Sequence, residues 1–267
     1  MSFLVEYLCL SHVGKCRSVN QDNYICEGRI YNPEFDISSE ADRPGFDSCK
    51  GMISGCVPLG SETQIFGVFD GMGGEEQGEI AALLAVKSIA SACKKKKETL
   101  PLLEDIAISS NQSIYEYAQK NGLASIGTTA VLLGFGKKDI GILNLGDSKA
   151  FQFSNDKLLQ ISVDHISPAP YGVKPPLTQY LGYPCSGNSP EPYIAKKRIV
   201  DGDIYLLCSD GLTDMVPVEL MENVIGELPF ETAGHRLMEY ALEKGGRDNI
   251  TLILCRVFCN GKRMKRK

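Results

Sequence analysis

The chain has 267 residues, of which 43% are hydrophobic and 23% charged, with a formal net charge of −5. Those values fit a globular protein with a sizeable core in one or two domains. The acidic balance gives no basis for nucleic-acid binding, and no apolar stretch is long enough to span a bilayer.

The N-terminal MSFLVEYLCL carries Glu6 and no basic leader segment, which predicts a first strand rather than a signal peptide. The apolar run Phe3 to His12 leads into the polar turn VGKCRSVNQDN and a short run from Tyr24 to Ile30. From about residue 31 to 62 the chain is rich in Pro, Gly, Ser and Asp without a sustained period, and an irregular insertion is expected there. Residues 64–69 alternate as a buried strand. A largely buried helix is predicted over 75–93, with the lysines at 94–97 complementing its C-terminal dipole. Thr99 and Pro101 mark the start of a second helix running toward Asn121. From Gly127 the runs TTAVLLGFG, DIGILNLG, KAFQFSN and KLLQISVD predict an antiparallel meander. The segment after His165 is too rich in Pro and Gly to be regular. Strands are expected over 193–200 and 204–208, helices over 217–225 and 231–244, and a last strand over 250–258 before the basic tail 260–267. Strands with helices grouped between them define an α+β fold with antiparallel sheets.

The 10 cysteines include no C-x-x-C pair. Cys9, Cys26, Cys208 and Cys255 lie in apolar runs, where the thiol acts as a small hydrophobe. Free thiols and a reducing, cytoplasmic compartment are expected.

Chemistry enters with four aspartates placed where apolar runs meet Gly or Asn: Asp70 in IFGVFDGMGG, Asp147 in ILNLGDSK, Asp210 in YLLCSDG and Asp248 in GRDNITLILC. Buried carboxylates need neutralising, and convergence on hard divalent ions such as Mg²⁺ or Mn²⁺ answers that need with oxygen ligands. Paired divalent ions suit displacement at phosphorus. Arg17 is then a candidate for binding phosphate oxygens, and Asp22, five residues on, for supporting water at the ions. A C-x₅-R phosphatase loop is absent.

The ordered series RSVNQDN (17–23), DGMGG (70–74), GTT (127–129), GDSK (146–149), VDH (163–165), LTQYLG (177–182), SDGLTDMV (209–216) and DNIT (248–251) resembles the metal-dependent Ser/Thr protein phosphatases of the protein phosphatase 2C type, in their bacterial branch. The resemblance implies an αββα sandwich of four layers, two antiparallel sheets flanked by helices, in a single catalytic domain over 1–259. It implies that Asp70 bridges two Mn²⁺ or Mg²⁺ ions, with the Gly71 carbonyl on the second. Asp210 and Asp248 would hold the first, and Asp147 with Asp210 a third, weaker ion. Arg17 would bind substrate phosphate, Asp22 would hydrogen-bond water at the ions, and Asn249 would support the loop beside Asp248. Phosphorylated proteins are the implied substrates, with a Ser/Thr kinase as functional partner; nothing indicates an oligomer, and a monomer is expected.

Departures from the family pattern are Gln21 for a common Glu, Met72 where some relatives have His, and Lys149 for Arg. The flap over about 166–176 is short, which predicts a more open site. The insertion over 31–62 is then either a lid or partner surface, or a passive loop. His165 is expected to be a structural or loop-capping residue. Two other functions stay open: a phosphatase-like binding protein without turnover, and a hydrolase of a small phosphorylated metabolite.

Overall fold

The structure is a computed structural model that describes residues 2–27, 29–30, 52–72, 77–93, 98–123, 126–170, 172–183 and 190–260. In chain order its strands are β1 (Phe3–His12), β2 (Asp22–Cys26), β3 (Arg29–Ile30), β4 (Ile53–Pro58), β5 (Gln64–Met72), β6 (Gly127–Thr128), β7 (Ala130–Phe135), β8 (Asp139–Leu145), β9 (Lys149–Ser154), β10 (Lys157–Gln160), β11 (Tyr193–Arg198), β12 (Ile204–Cys208) and β13 (Ile250–Cys259). The helices are α1 (Gly78–Ala92), α2 (Thr99–Lys120), α3 (Asp210–Thr213), α4 (Val218–Glu227) and α5 (Phe230–Glu243).

One sheet has the order β10-β9-β12-β13-β1-β4; the other runs β11-β8-β7-β5-β2-β3, with β6 paired to β5. Every pairing is antiparallel. Strand alternation divides the apolar side chains between two directions, and three cores result. Between the sheets lie Val5, Tyr7, Phe66, Val131, Phe135, Tyr205 and Ile253. Beneath α1 and α2 lie Ile25, Phe69, Ala82, Val86, Leu103 and Ile106. Beneath α4 and α5 lie Leu8, Leu206, Met221, Leu237 and Leu252. This is the expected four-layer αββα sandwich. Across its middle runs an aromatic series, Tyr7, Phe66, Phe135 and Tyr205, with successive ring centroids 5.3, 5.6 and 5.6 Å apart. Tyr7 and Tyr205 stand on one sheet, Phe66 and Phe135 on the other.

Two expectations are corrected. The region expected to be an irregular insertion over about 31–62 contains β4, an edge strand paired with β1 from Leu4↔Pro58 to Cys9↔Ile53. Its half-buried and exposed residues alternate strictly, as suits a strand with one face on the core, and its Pro58 is tolerated at an edge. The runs after Gly127 do not form one meander. β7 and β8 belong to one sheet, whereas β9 and β10 belong to the other, so Gly146, Asp147 and Ser148 carry the chain across the sandwich.

The thiols of Cys9, Cys26, Cys208 and Cys255 are free and buried, as expected. Residues 31–51, with the lid idea, lie outside the described residues, as do the lysines at 94–97 and the tail from 261.

Candidate metal and phosphate site

The strand ends place the acidic residues. Asp22 opens β2 and is the direct cross-strand partner of Asp70 on β5. From the other sheet, Asp210 follows β12 and Asp248 precedes β13. Asp147 sits in the crossover between the two sheets. The carboxylates therefore come from both sheets and meet at one end of the sandwich.

Close backbone packing makes this possible, and glycine permits it. A Cβ on Gly71 would lie 2.2 Å from the Gly78 carbonyl oxygen and 2.5 Å from that of Gln21. Gly71 therefore brings the residue after Asp70 against the start of α1. A Cβ on Gly211 would lie 1.9 Å from the Asn249 carbonyl oxygen, so this glycine lets the Asp210 and Asp248 segments touch. The GTT threonines clamp Asp70 from the opposite side. Thr129 Oγ1 accepts from the Asp70 N–H at 3.0 Å, and Thr128 Oγ1 donates to the Asp70 carbonyl at 3.0 Å.

Asn249 ties down the loop whose Arg17 meets the Asp248 carboxylate. Its amide donates to the Val13 and Val19 carbonyls at 2.8 and 3.0 Å, and its Oδ1 accepts from the Gln21 N–H at 2.8 Å. It organises the Arg17 loop, which lies beside Asp248, because three backbone groups of that loop are within its reach and need partners.

The site is electrostatically uncomfortable on its own. Burial, reinforced by the charges of Asp22 and Asp210, holds the Asp70 carboxyl well above the usual carboxylate range. Burial also pushes Asp22 up to about 7, against hydrogen bonds from Thr251 and Ser209. Ser209 Oγ donates to Asp22 Oδ2 at 2.8 Å and accepts from the Thr251 N–H at 3.0 Å. Asp147 is raised by burial and then by Asp210. Oδ1 of Asp22 and Oδ1 of Asp210 are buried without a hydrogen-bond partner.

Cationic side chains hold one oxygen each of Asp248 and Asp210. Arg17 donates to Asp248 Oδ2 at 2.8 Å, and Lys174 is ion-paired with Asp210. With these pairs formed, no three His, Cys, Asp or Glu side chains among the described residues are gathered closely enough to hold an ion as they stand. The donor chemistry nevertheless fits divalent metal. It offers hard oxygens only, two of them orphaned, on carboxyls that burial and mutual repulsion leave short of positive charge.

A cavity of about 560 Å³ opens over this end, lined by Arg17, Gln21, Asp70, Gly71, Met72, Lys174, Asp248 and Asn249, among others. The expected residues Arg17, Asp70, Gly71 and Asp248 thus face it, while Asp22, Asp147 and Asp210 lie beneath or beside it, 1%, 8% and 3% exposed. Gln21 extends an amide to Glu79 Oε2 at 3.3 Å. His165 is not in the cavity lining; its backbone N–H donates to the Gly146 carbonyl and its carbonyl accepts from the Thr178 N–H. The short flap closes at its base through the bridge Ile166↔Leu177 and sends Lys174 into the site, so it does not simply leave the site open. Sequence reasoning missed Lys174 and Ser209. For Ser209 the adjacency to Asp210 was a usable signal; for Lys174 there was none.

Fold and site together define a two-sheet sandwich with a carboxylate centre at one end, built to receive cations and an anionic ligand. Comparison with known proteins agrees. The protein phosphatase 2C family model matches residues 57–254. A serine/threonine phosphatase of Listeria welshimeri is 31% identical over 214 residues, covering 70% of this chain and 82% of that protein. The chain belongs to the protein phosphatase 2C family. The serine/threonine protein phosphatase PstP of Mycobacterium tuberculosis is 28% identical over 208 residues, 73% of this chain but only 40% of that protein's length. The fold matches the crystal structure of the catalytic domain of PstP in complex with two manganese ions, at a TM-score of 0.73 and 24% identity over 96% of this chain and 100% of that one.

Proposed function

We propose that the protein is a metal-dependent serine/threonine protein phosphatase, one catalytic domain over 1–259 with a basic tail, acting on phosphorylated proteins. The observation that carries this reading is the convergence of five aspartates from both sheets beside a cavity lined by Arg17. Asp70, the Gly71 carbonyl, Asp210 and Asp248 would hold two Mn²⁺ or Mg²⁺ ions, the number carried by the PstP domain. Such ions supply a nucleophilic water at neutral pH and offset the charge that develops at phosphorus.

The chain's own residues do the rest. Arg17 is 52% exposed at its side chain, and its guanidinium is free to exchange Asp248 for two oxygens of a phosphate. Ser209 and Thr251 orient the Asp22 carboxyl beneath Asp70, where it accepts a hydrogen bond from water. The threonine clamp fixes the Asp70 backbone, so the carboxylate presents one geometry. Met72 stands in the cavity wall and offers no proton to the leaving alkoxide. Free buried thiols suit a reducing compartment, and a cytoplasmic protein working against a Ser/Thr kinase is the setting we propose. No described helix is long and apolar enough to cross a membrane.

The test is phosphate release from a phosphothreonine peptide with Mn²⁺, with EDTA, and from Asp210→Asn with Mn²⁺. Turnover with Mn²⁺ alone, absent from both controls, is expected. No turnover from folded protein that binds Mn²⁺ would sink the catalytic reading.

A further inference from the structure

Lys174 lies at the tip of the flap and has no role in the chemistry set out above. The flap is closed below it: the Ser167 N–H donates to the Pro176 carbonyl at 2.9 Å, and the Val173 N–H to that of Pro170 at 3.1 Å. Pro175 and Pro176 follow directly, each with φ fixed by its ring, so the lysine is presented by a stiff segment. Its ammonium is bonded to Asp210 Oδ2 and lies 3.9 Å from Asp147 Oδ2. The lysine side chain is 61% exposed, whereas those of Asp210 and Asp147 are 5% and 12% exposed. The exposed stem thus delivers a charged tip to two largely buried anions, one from the crossover between the sheets and one from the end of β12.

An ordinary surface lysine pairs with a solvated carboxylate and is worth little. This one differs, because both anions it meets have lost most of their water and neutralisation there is needed for stability. Burial pulls the Lys174 ammonium toward losing its proton, but the charges of Asp210, Asp147 and Asp70 outweigh it and hold it protonated.

We infer that Lys174 is the resident cation of the Asp147–Asp210 carboxylate pair, so that the protein takes up divalent ions at Asp70, Asp210 and Asp248 but none between Asp147 and Asp210. The ammonium already stands against both carboxylates. An ammonium tethered by the flap is present at every metal concentration, whereas a divalent ion held by two carboxylates would leave on dilution. The inference rests on the metal-site reading above and concerns only how many ions that site takes.

The experiment counts Mn²⁺ bound per chain at saturation, by equilibrium dialysis with atomic absorption, for the wild type, Lys174→Arg, Lys174→Met and Lys174→Met with Asp147→Asn. Two ions are expected for the wild type and Lys174→Arg, three for Lys174→Met, and two again for the double variant. Three ions in the wild type would mean that metal displaces the lysine, and two in Lys174→Met that the lysine guards nothing; either overturns the inference while leaving the metal site standing. A wild type that binds no Mn²⁺ would overturn the metal-site reading and this inference with it. Lys174→Arg keeps the charge that the two largely buried carboxylates need, and circular dichroism on each variant confirms that it is folded before its ions are counted.

Discussion

Asp22 and Asp70 stand directly opposite each other on β2 and β5, a position in which like charges oppose strand pairing. Asp22 is only 1% exposed, so water does little to screen the repulsion. The pairing is tolerable in two circumstances, a shared proton or a nearby cation, and the two predict different pH behaviour.

With metal chelated, stability should fall as pH rises. The folded Asp22 titrates near about 7 and the unfolded one near about 4; between these values the folded state holds the extra proton, so each step upward in pH favours unfolding. Thermal melts in EDTA should therefore show the deficit of wild type relative to Asp22→Asn growing from about pH 4 to about pH 7 and constant above. Saturating Mn²⁺ should reverse the sign at pH 8, because the carboxylate is then needed. A deficit that does not change with pH would refute this account.

Arg17 should matter to substrate and scarcely to folding. Its pair with Asp248 joins side chains 52% and 32% exposed, which limits its contribution to about 0.5 kcal/mol or less. A bidentate bond to phosphate is stronger, and Arg17→Ala should lower kcat/KM by roughly 10- to 100-fold. Arg17→Lys should recover only part of the loss, since an ammonium cannot form the fork. Melting temperature and kinetics measured on the same preparations separate the two effects; a destabilisation that accounts for the lost activity would argue against phosphate binding.

Asn249 should show the opposite pattern. Asn249→Ala leaves the Val13 and Val19 carbonyls and the Gln21 N–H unpaired, at a cost of about 2–4 kcal/mol in urea unfolding. The Arg17 loop should loosen, raising KM more than it lowers kcat. Unchanged amide exchange at Gln21 would rule out this role.

What was legible in the sequence follows from how local each signal is. Asp70, Asp147, Asp210 and Asp248 announce themselves because each stands at the end of an apolar run beside a residue that permits tight packing, a pattern contained within a few positions. The helices over 218–227 and 230–243 were readable for the same reason: their period lies within the segment. β4 was hidden because Ser54, Gly55 and Pro58 imitate a loop, and only its pairing with β1 makes it a strand. The split of the supposed meander between sheets depends on where Gly146 turns the chain, which no alternation records. Lys174 was least accessible. Its partner Asp210 is 36 residues away in sequence, and its neighbours in the flap have no period at all. Asn249 was noticed, but which loop it ties down is decided by tertiary contact with Val13, Val19 and Gln21.

The aromatic series between the sheets bears on the site from a distance. Asp22 and Asp70 ride on one sheet and Asp210 and Asp248 on the other, so the gap they span is a property of the sandwich and not of the loops that carry them. Tyr7, Phe66, Phe135 and Tyr205, at centroid separations of 5.3 to 5.6 Å, act as a spacer that sets that gap. The loops around the cavity can then diverge in length and composition while the bite of the carboxylates stays constant, because its calibration is stored in the oily middle of the molecule, out of reach of whatever selects the substrate.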